Sequence, residues 1–202
     1  MRPWLSVLCL SLCMAAAGAA NAQTLRWSSQ GDPQTMDPFS QNESLTNMIN
    51  AQIYDFLVAR DKKLGIVPAL ATSWRQDGPL KWTFKLRPNV KFHDGRSFTA
   101  DDVVFSLERA KAPGSQIAVY ANALGTAKKI DDLTVEFNLP QVNPIFLQHL
   151  NTLYIMSRGW AEQHKAAGGD LTLEWDTLHH TLQRRRPSRL KQPVPREAEL
   201  SV

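Results

Sequence analysis

His93 and Asp94 are the side chains whose types and adjacency most suggest acid–base or metal chemistry. They stand directly before Gly95, between an alternating apolar pattern and a helical one. Aspartate and glycine are common in turns, because aspartate bonds nearby backbone groups and glycine accepts positive φ. No other histidine in the sequence has metal-ligand spacing to His93. We therefore interpret His93 and Asp94 as turn residues.

The sequence lacks the short motifs that carry common catalytic chemistry. It has no Gly-x-Ser-x-Gly nucleophile elbow, no phosphate-binding loop and no zincin helix. Both of its cysteines, Cys9 and Cys13, lie near the start of the chain. These observations favour a binding protein over an enzyme, and they imply no cofactor and no metal. A secreted enzyme that uses an unrecognised polar cluster remains the alternative.

Basic residues are concentrated near the end of the chain. The net charge of +4 is mild and does not by itself predict binding to nucleic acid. However, the stretch Arg184–Arg196 contains six basic residues, three prolines and no acidic residue. Such a composition is typical of disordered segments, so residues 168–202 are predicted to form a disordered basic tail. A basic module that binds anionic lipid or nucleic acid is the alternative interpretation of this tail.

The first 22 residues have the pattern of a secretory signal peptide. Arg2 provides a positive start, Leu5–Ala17 is apolar, and Ala20-Asn21-Ala22 fits the rule of small residues before a cleavage site. The apolar run is too short to span a bilayer. The sequence therefore predicts export to the periplasm and a mature chain that begins at Gln23. That mature chain has no cysteine and hence no disulfide.

The most strongly patterned stretch begins at Lys81. Trp82, Phe84 and Leu86 alternate with polar residues, which predicts a strand with one buried face. After the turn at Gly95 the period becomes helical. Thr99 and Asp102 have the spacing of a capping box, which predicts a helix start.

The helix that follows this capping box has a clear apolar stripe. The residues expected on its buried side are Ala100, Val103, Val104 and Leu107, and those expected in solvent are Glu108, Arg109 and Lys111.

Shorter patterns before and after this stretch predict alternating helices and strands. A strand is expected at Thr24–Ser28, a helix from Leu45 to Leu57 capped by Ser44, and a short helix from Pro68 that buries Leu70 and Trp74. Further along, the expected elements are a hairpin of Ala127–Ile130 with Leu133–Leu139, a helix from Asn143-Pro144 to Leu150, a strand at Leu153–Met156 and a helix capped by Ser157. This interleaving favours an α/β or α+β lobe.

Several of these stretches together resemble a known protein family. The chain is similar to the extracytoplasmic solute-binding proteins of ABC importers that take up dipeptides, oligopeptides and nickel. The similarity extends from about residue 24 to about residue 165. It is carried by Asp32-Pro33-Gln34-Thr35-Met36-Asp37-Pro38, Ile53-Tyr54-Asp55-Phe56-Leu57, Val67-Pro68-Ala69-Leu70-Ala71-Thr72-Ser73-Trp74, the stretch Lys81–Arg109, and Asn143-Pro144.

The resemblance implies a fold and a mode of action. The fold class would be α/β, periplasmic binding protein-like of type II, in which two lobes close over a ligand by a hinge. Residues 23–167 would be the N-terminal part of the solute-binding lobe, so only part of the first lobe is present. Family members are well over twice this length, and the sequence loses the family pattern after Gly168-Gly169. A truncated or frame-shifted, non-functional product is therefore the alternative.

The resemblance also implies a ligand site and partners. By position, the loop that pairs its main chain with a bound peptide is Gln41, Asn42, Glu43 and Ser44. The alternative for these residues is that they cap the following helix. The expected partners are a peptide or similar small solute, with a nickel complex as a variant, and a membrane permease. The protein is expected to act as a monomer without nucleic acid.

Tyr120 and Asn122, which lie in a stretch without a clear period, could also reach a ligand cleft. The apolar surroundings of Trp27, Trp74, Trp82 and Trp160 indicate core positions rather than ligand platforms.

Overall fold

The structure, a computed structural model, describes residues 31, 33 and 35–164. Its helices and strands, in chain order, are α1 (Ser44–Ile53), β1 (Val58–Arg60), β2 (Ile66–Pro68), β3 (Ala71–Gly78), β4 (Lys81–Leu86), α2 (Ala100–Ala110), α3 (Ala118–Ala123), β5 (Thr126–Asp131), β6 (Thr134–Asn138), α4 (Phe146–Leu150) and α5 (Arg158–Gln163). The predicted signal peptide, the strand at Thr24–Ser28 and the tail from residue 168 lie outside the described residues.

Four antiparallel strands form the main sheet, in the order β3-β4-β6-β5. Phe84 is central to it, because it pairs with Trp74 on one side and with Val135 on the other. Phe84, Val135 and Phe137 are fully buried, so one face of the sheet lies against the core. The predicted strand at Lys81–Leu86 and the predicted hairpin are both confirmed. β1 and β2 form a separate two-stranded antiparallel sheet.

An aromatic cluster joins the sheet to the short helix α4. The ring of Phe146, on α4, lies 5.3 Å from that of Trp82, 5.7 Å from that of Phe137 and 6.1 Å from that of Phe84. Phe146 is 1% exposed. Aromatic rings at these separations bury large apolar areas and add favourable edge contacts. The core of the described residues is therefore centred on the face of β4 and β6.

The capping box at the start of α2 is confirmed. The backbone N–H of Thr99 donates to Asp102 Oδ2 at 2.9 Å, and the other half of the box is also present. Ala100, Val103 and Leu107 of the predicted apolar stripe are buried as expected, whereas Val104 is only partly buried. The expectation that Arg109 faces solvent is wrong, because its side chain is fully buried in an ion pair. Lys111 is also mostly buried, and its ammonium donates to the carbonyl of Gly125.

Two helix predictions in the first half of the chain are wrong. α1 ends at Ile53 rather than at Leu57, because Tyr54 is extended (φ −101°, ψ 151°) and the chain then enters β1. The predicted helix at Pro68 is replaced by the end of β2 and by β3. Leu70 is buried as expected, but pairing of β3 with β4 outweighs the weak local helical signal.

The later elements agree more closely with the predictions made from the sequence. α4 begins at Phe146, three residues after Asn143, whose side chain accepts from the N–H of Ile145. The predicted strand at Leu153–Met156 is reduced to a single bridge between Ile155 and Asp55. Ser157 caps α5 as predicted and accepts from the N–H of Trp160.

Candidate functional site

The segment Gln41–Ser44 connects a turn at residues 38–40 to α1. Glu43 is the N-cap, with extended backbone (φ −122°, ψ 142°). Its carboxylate accepts from the N–H of Leu45 at 3.0 Å and from the hydroxyl of Thr46 at 2.7 Å. The expectation that Ser44 is the N-cap is wrong, since Ser44 is the first helical residue. The capping alternative for this segment therefore holds for the side chain of Glu43.

Just before this cap, the main chain has polar groups that find no partner among the described residues. The backbone N–H and C=O groups of Gln41 and Asn42 make no hydrogen bond to any of the described residues. The side chain of Asn42 is held instead, because its Oδ1 accepts from Asn47 Nδ2 at 3.0 Å. Asn42 is exposed and Gln41 is partly so. These main-chain groups are thus available to a binding partner.

The ionised form of the Glu43 side chain is stabilised by its hydrogen-bond partners. The hydrogen bond from the Thr46 hydroxyl is the main reason that the pKa of this carboxyl lies below its ordinary value, and the amide of Leu45 adds to it. Glu43 is therefore ionised at neutral pH. A negative charge at this position also interacts favourably with the N-terminal end of the α1 dipole.

A buried ion pair lies directly upstream of the segment. Arg109 Nη1 donates to Asp37 Oδ1 at 2.9 Å, Nη2 donates to Oδ2, and both side chains are 0% exposed. The Asp37 carboxylate also accepts from the N–H of Phe39 at 2.9 Å. The Arg109 guanidinium lies 5.4 Å from the centre of the Phe39 ring. Such a two-pronged pair allows only a narrow range of geometries.

Arg109 belongs to a buried polar stripe on helix α2 that the sequence analysis did not predict. Asp102, Ser106 and Arg109 follow one another at helical spacing and are all buried. Asp102 accepts from the N–H of Arg158 at 2.9 Å, and Ser106 Oγ accepts from the N–H of Met156 at 2.9 Å. The signal was present in the sequence, because i, i+4, i+7 spacing places the three residues on one side of a helix.

The other candidates lie in different surroundings. Tyr120 is 38% exposed and makes an edge contact with His149, with ring centres 5.9 Å apart. Asn122 is exposed. His93 lies in a turn, and burial is the main reason that its pKa is lowered, against the opposing effect of Asp55. Within the described residues, no group of three or more His, Cys, Asp or Glu is placed to hold a metal ion.

Comparison with known proteins identifies the family. The family model of bacterial extracellular solute-binding proteins, family 5 Middle, matches residues 65–174, which is more than half of the chain. This chain belongs to that family. Family 5 solute-binding proteins are components of transport systems rather than enzymes.

Individual relatives of this family 5 protein agree with the family match. It is 33% identical over 186 residues to the di/tripeptide-binding protein 4 of Pseudomonas aeruginosa, covering 80% of this chain and 35% of the relative. It is 33% identical over 182 residues to the dipeptide-binding protein of Escherichia coli, covering 77% and 34%.

A solved structure gives the same result for the fold. The substrate-binding domain of an oligopeptide ABC transporter from Bacillus anthracis matches with a TM-score of 0.63 and 28% identity, over 68% of this chain and 30% of that one. The predicted fold class, α/β and periplasmic binding protein-like, is confirmed, and the chain corresponds to part of such a protein. The chain spans about a third of the length of these relatives or less.

The described part of the chain contains no helix with both the length and the apolar character needed to cross a membrane.

Proposed function

We propose that this protein is the peptide-capturing component of an ABC importer. In this role the signal peptide at residues 1–22 directs it to the periplasm, where it binds di- or oligopeptides as a monomer and presents them to a membrane permease. The similarity to proteins named for binding dipeptides and tripeptides supports the choice of ligand. The chain acts without enzymatic activity and without a cofactor.

One observation carries the proposal for the site. The segment Gln41–Ser44 presents main-chain N–H and C=O groups at Gln41 and Asn42 that have no partners within the described residues, next to an extended Glu43. An extended peptide can pair with such groups as a strand pairs with a sheet edge. Pairing through the main chain holds a peptide without reading its side chains. This suits a carrier of varied peptides.

Calorimetric titration of the secreted chain with tri-alanine tests peptide capture. Saturable binding with a micromolar dissociation constant is expected. The alternative, a non-functional product of such a gene, predicts no heat of binding, since affinity in a closing site comes from both lobes. Absence of saturation with tri-alanine and with a mixed peptide pool would therefore reject the proposed function.

Two substitutions at Asn42 test the role of the main chain. Asn42→Pro removes the backbone N–H, and we expect tri-alanine binding to weaken about tenfold, the value of roughly one hydrogen bond. Asn42→Ala keeps the N–H and loses the same side-chain contact with Asn47. It should bind within about threefold of the unsubstituted chain. Equal losses in both variants would contradict main-chain pairing.

A further inference from the structure

The ion pair between Asp37 and Arg109 joins two parts of the chain that are 72 residues apart. Arg109 is near the end of α2, whose buried face packs into the core, whereas Asp37 lies directly before the turn at residues 38–40 that leads to the segment Gln41–Ser44. Neither side chain is exposed. The pair therefore connects the rigid core to the chain directly upstream of the proposed ligand contacts.

Phe39, two residues before Gln41, is fixed from three directions. Its N–H donates to the Asp37 carboxylate at 2.9 Å, its ring lies against the Arg109 guanidinium, and its carbonyl accepts from the N–H of Gln116 at 2.9 Å. Phe39 itself is 0% exposed. The main chain therefore leaves this point in a defined direction.

The chain on the N-terminal side of the turn is held by a further contact. The hydroxyl of Tyr54, the residue after α1, donates to the carbonyl of Met36 at 3.0 Å. Downstream of the turn, Glu43 fixes the start of α1 through Leu45 and Thr46. Gln41 and Asn42, whose main-chain groups have no described partners, thus lie between two fixed points.

Stability alone does not account for a buried ion pair at this position. Desolvation of both charges opposes folding, and well-packed apolar residues of similar volume are often as stabilising or more so. What a two-pronged arginine–carboxylate pair adds is a single orientation of its two partners.

We propose that Asp37 and Arg109 are positioning residues, which hold Gln41 and Asn42 in the conformation that a peptide ligand pairs with. Affinity then benefits because the main chain is ordered before the ligand arrives and loses less conformational entropy on binding. This inference depends on the proposed peptide site for its functional consequence. The ordering itself is a property of the free protein.

The test uses the double variant Asp37→Asn with Arg109→Met. The new asparagine can still accept from the N–H of Phe39, while the charges and the two-pronged contact are removed together, so no unpaired charge is left buried. The milder variant Arg109→Lys keeps the positive charge but cannot form the two parallel hydrogen bonds to the Asp37 carboxylate. The matched control is Arg158→Met with Glu162→Gln, which removes an exposed ion pair on α5.

Backbone ¹⁵N relaxation of the free protein is the first measurement. We expect order parameters of about 0.85 at Gln41 and Asn42 in the unsubstituted chain and below about 0.6 in the double variant. The order parameters of β4 should be the same in both proteins. Arg109→Lys should give intermediate order parameters. The α5 control should show no loss of order at Gln41 and Asn42. A general loss of stability would not lower order at these two residues alone. Unchanged order in either folded Arg109 variant, or a flexible segment in the unsubstituted chain, would overturn the inference.

Binding of tri-alanine is the second measurement. The dissociation constant should rise at least tenfold in the double variant, by about threefold in Arg109→Lys, and not at all in the α5 control. An unchanged dissociation constant in a double variant with lowered order would also overturn the inference. If the unsubstituted chain does not bind peptides, the proposed function fails, and the order parameters still decide whether Asp37 and Arg109 position the segment.

Discussion

At the scale of single residues, Glu43 has two separate roles. Its side chain caps α1 by accepting from Leu45 and Thr46, while its main chain adjoins the backbone groups of Gln41 and Asn42, which have no hydrogen-bond partner in the part of the chain that the structure describes. The capping interpretation and the ligand interpretation of this segment are therefore compatible. One concerns a side chain and the other concerns the backbone before it.

The capping role of Glu43 predicts a particular pH dependence. Its pKa is lowered in the folded state, chiefly by the Thr46 hydroxyl, so its contribution to stability is fully present above the ordinary value of 4.5 and is lost as the pH falls through the lower folded value. Glu43→Gln should thus melt at a lower temperature than the unsubstituted chain at pH 7.

Thermal unfolding by circular dichroism between pH 7 and pH 3 measures this effect. The difference in melting temperature between the two proteins should shrink as the pH falls below about 4.5. Glu162→Gln, in an exposed pair on α5, serves as the control for a general loss of negative charge. A difference that stays constant across this range would contradict a charged cap.

At the scale of elements, the junction between α3 and β5 is a tightly constrained turn. Gly125 has a φ of +72°, and a Cβ at this position would lie 2.0 Å from the carbonyl oxygen of Asn138 on β6. Lys111, at the end of α2, donates to the Gly125 carbonyl. The close approach of the two backbones starts the β5–β6 pairing.

Gly125→Ala should therefore destabilise the protein by about 3 kcal/mol, since it combines a strained backbone with a steric overlap that only backbone movement relieves. Urea unfolding followed by tryptophan fluorescence measures the loss. Gly78→Ala is the control, because an added Cβ there meets no atom within 4 Å. It should change the free energy of unfolding by less than about 0.5 kcal/mol. Similar values for both variants would show that the turn is not constrained.

At the scale of the whole molecule, one aromatic cluster links elements that are distant in sequence. Phe146 on α4 contacts Trp82 and Phe84 on β4 and Phe137 on β6. The polar stripe of α2 then ties this core to the segment before α5, through Ser106. The described elements thus share a core and should unfold together.

Phe146→Ala is expected to lower the free energy of unfolding by about 3–5 kcal/mol, because it removes a buried ring and leaves a cavity. Its urea transitions, followed by tryptophan fluorescence and by circular dichroism, should move together to lower urea concentration. Leu80→Ala is the control, since Leu80 is 41% exposed. A loss confined to the fluorescence signal would show that α4 packs independently of the sheet.

Local patterns in the sequence determined several elements correctly. The strand Lys81–Leu86, the Thr99–Asp102 capping box, the β5–β6 hairpin and the Ser157 cap all depend on residues within a few positions of one another. For the same reason the motifs in these stretches were enough to recognise the family. The choice of Gln41–Ser44 as the expected ligand site came from that resemblance rather than from a local pattern.

Tertiary structure alone decided the rest. Arg109 is buried because Asp37, far away in sequence, neutralises it, and residues 71–78 form a strand because β4 pairs with them. α1 stops at Ile53, after which the chain bridges to Ile155 and pairs with β2. Local propensity differs by only a fraction of a kcal/mol per residue, so long-range pairing and burial outweigh it. The sequence by itself determined the family and the locally capped elements, and contacts between distant residues decided how the chain directly upstream of the Gln41–Ser44 segment is anchored, through Asp37 and Phe39.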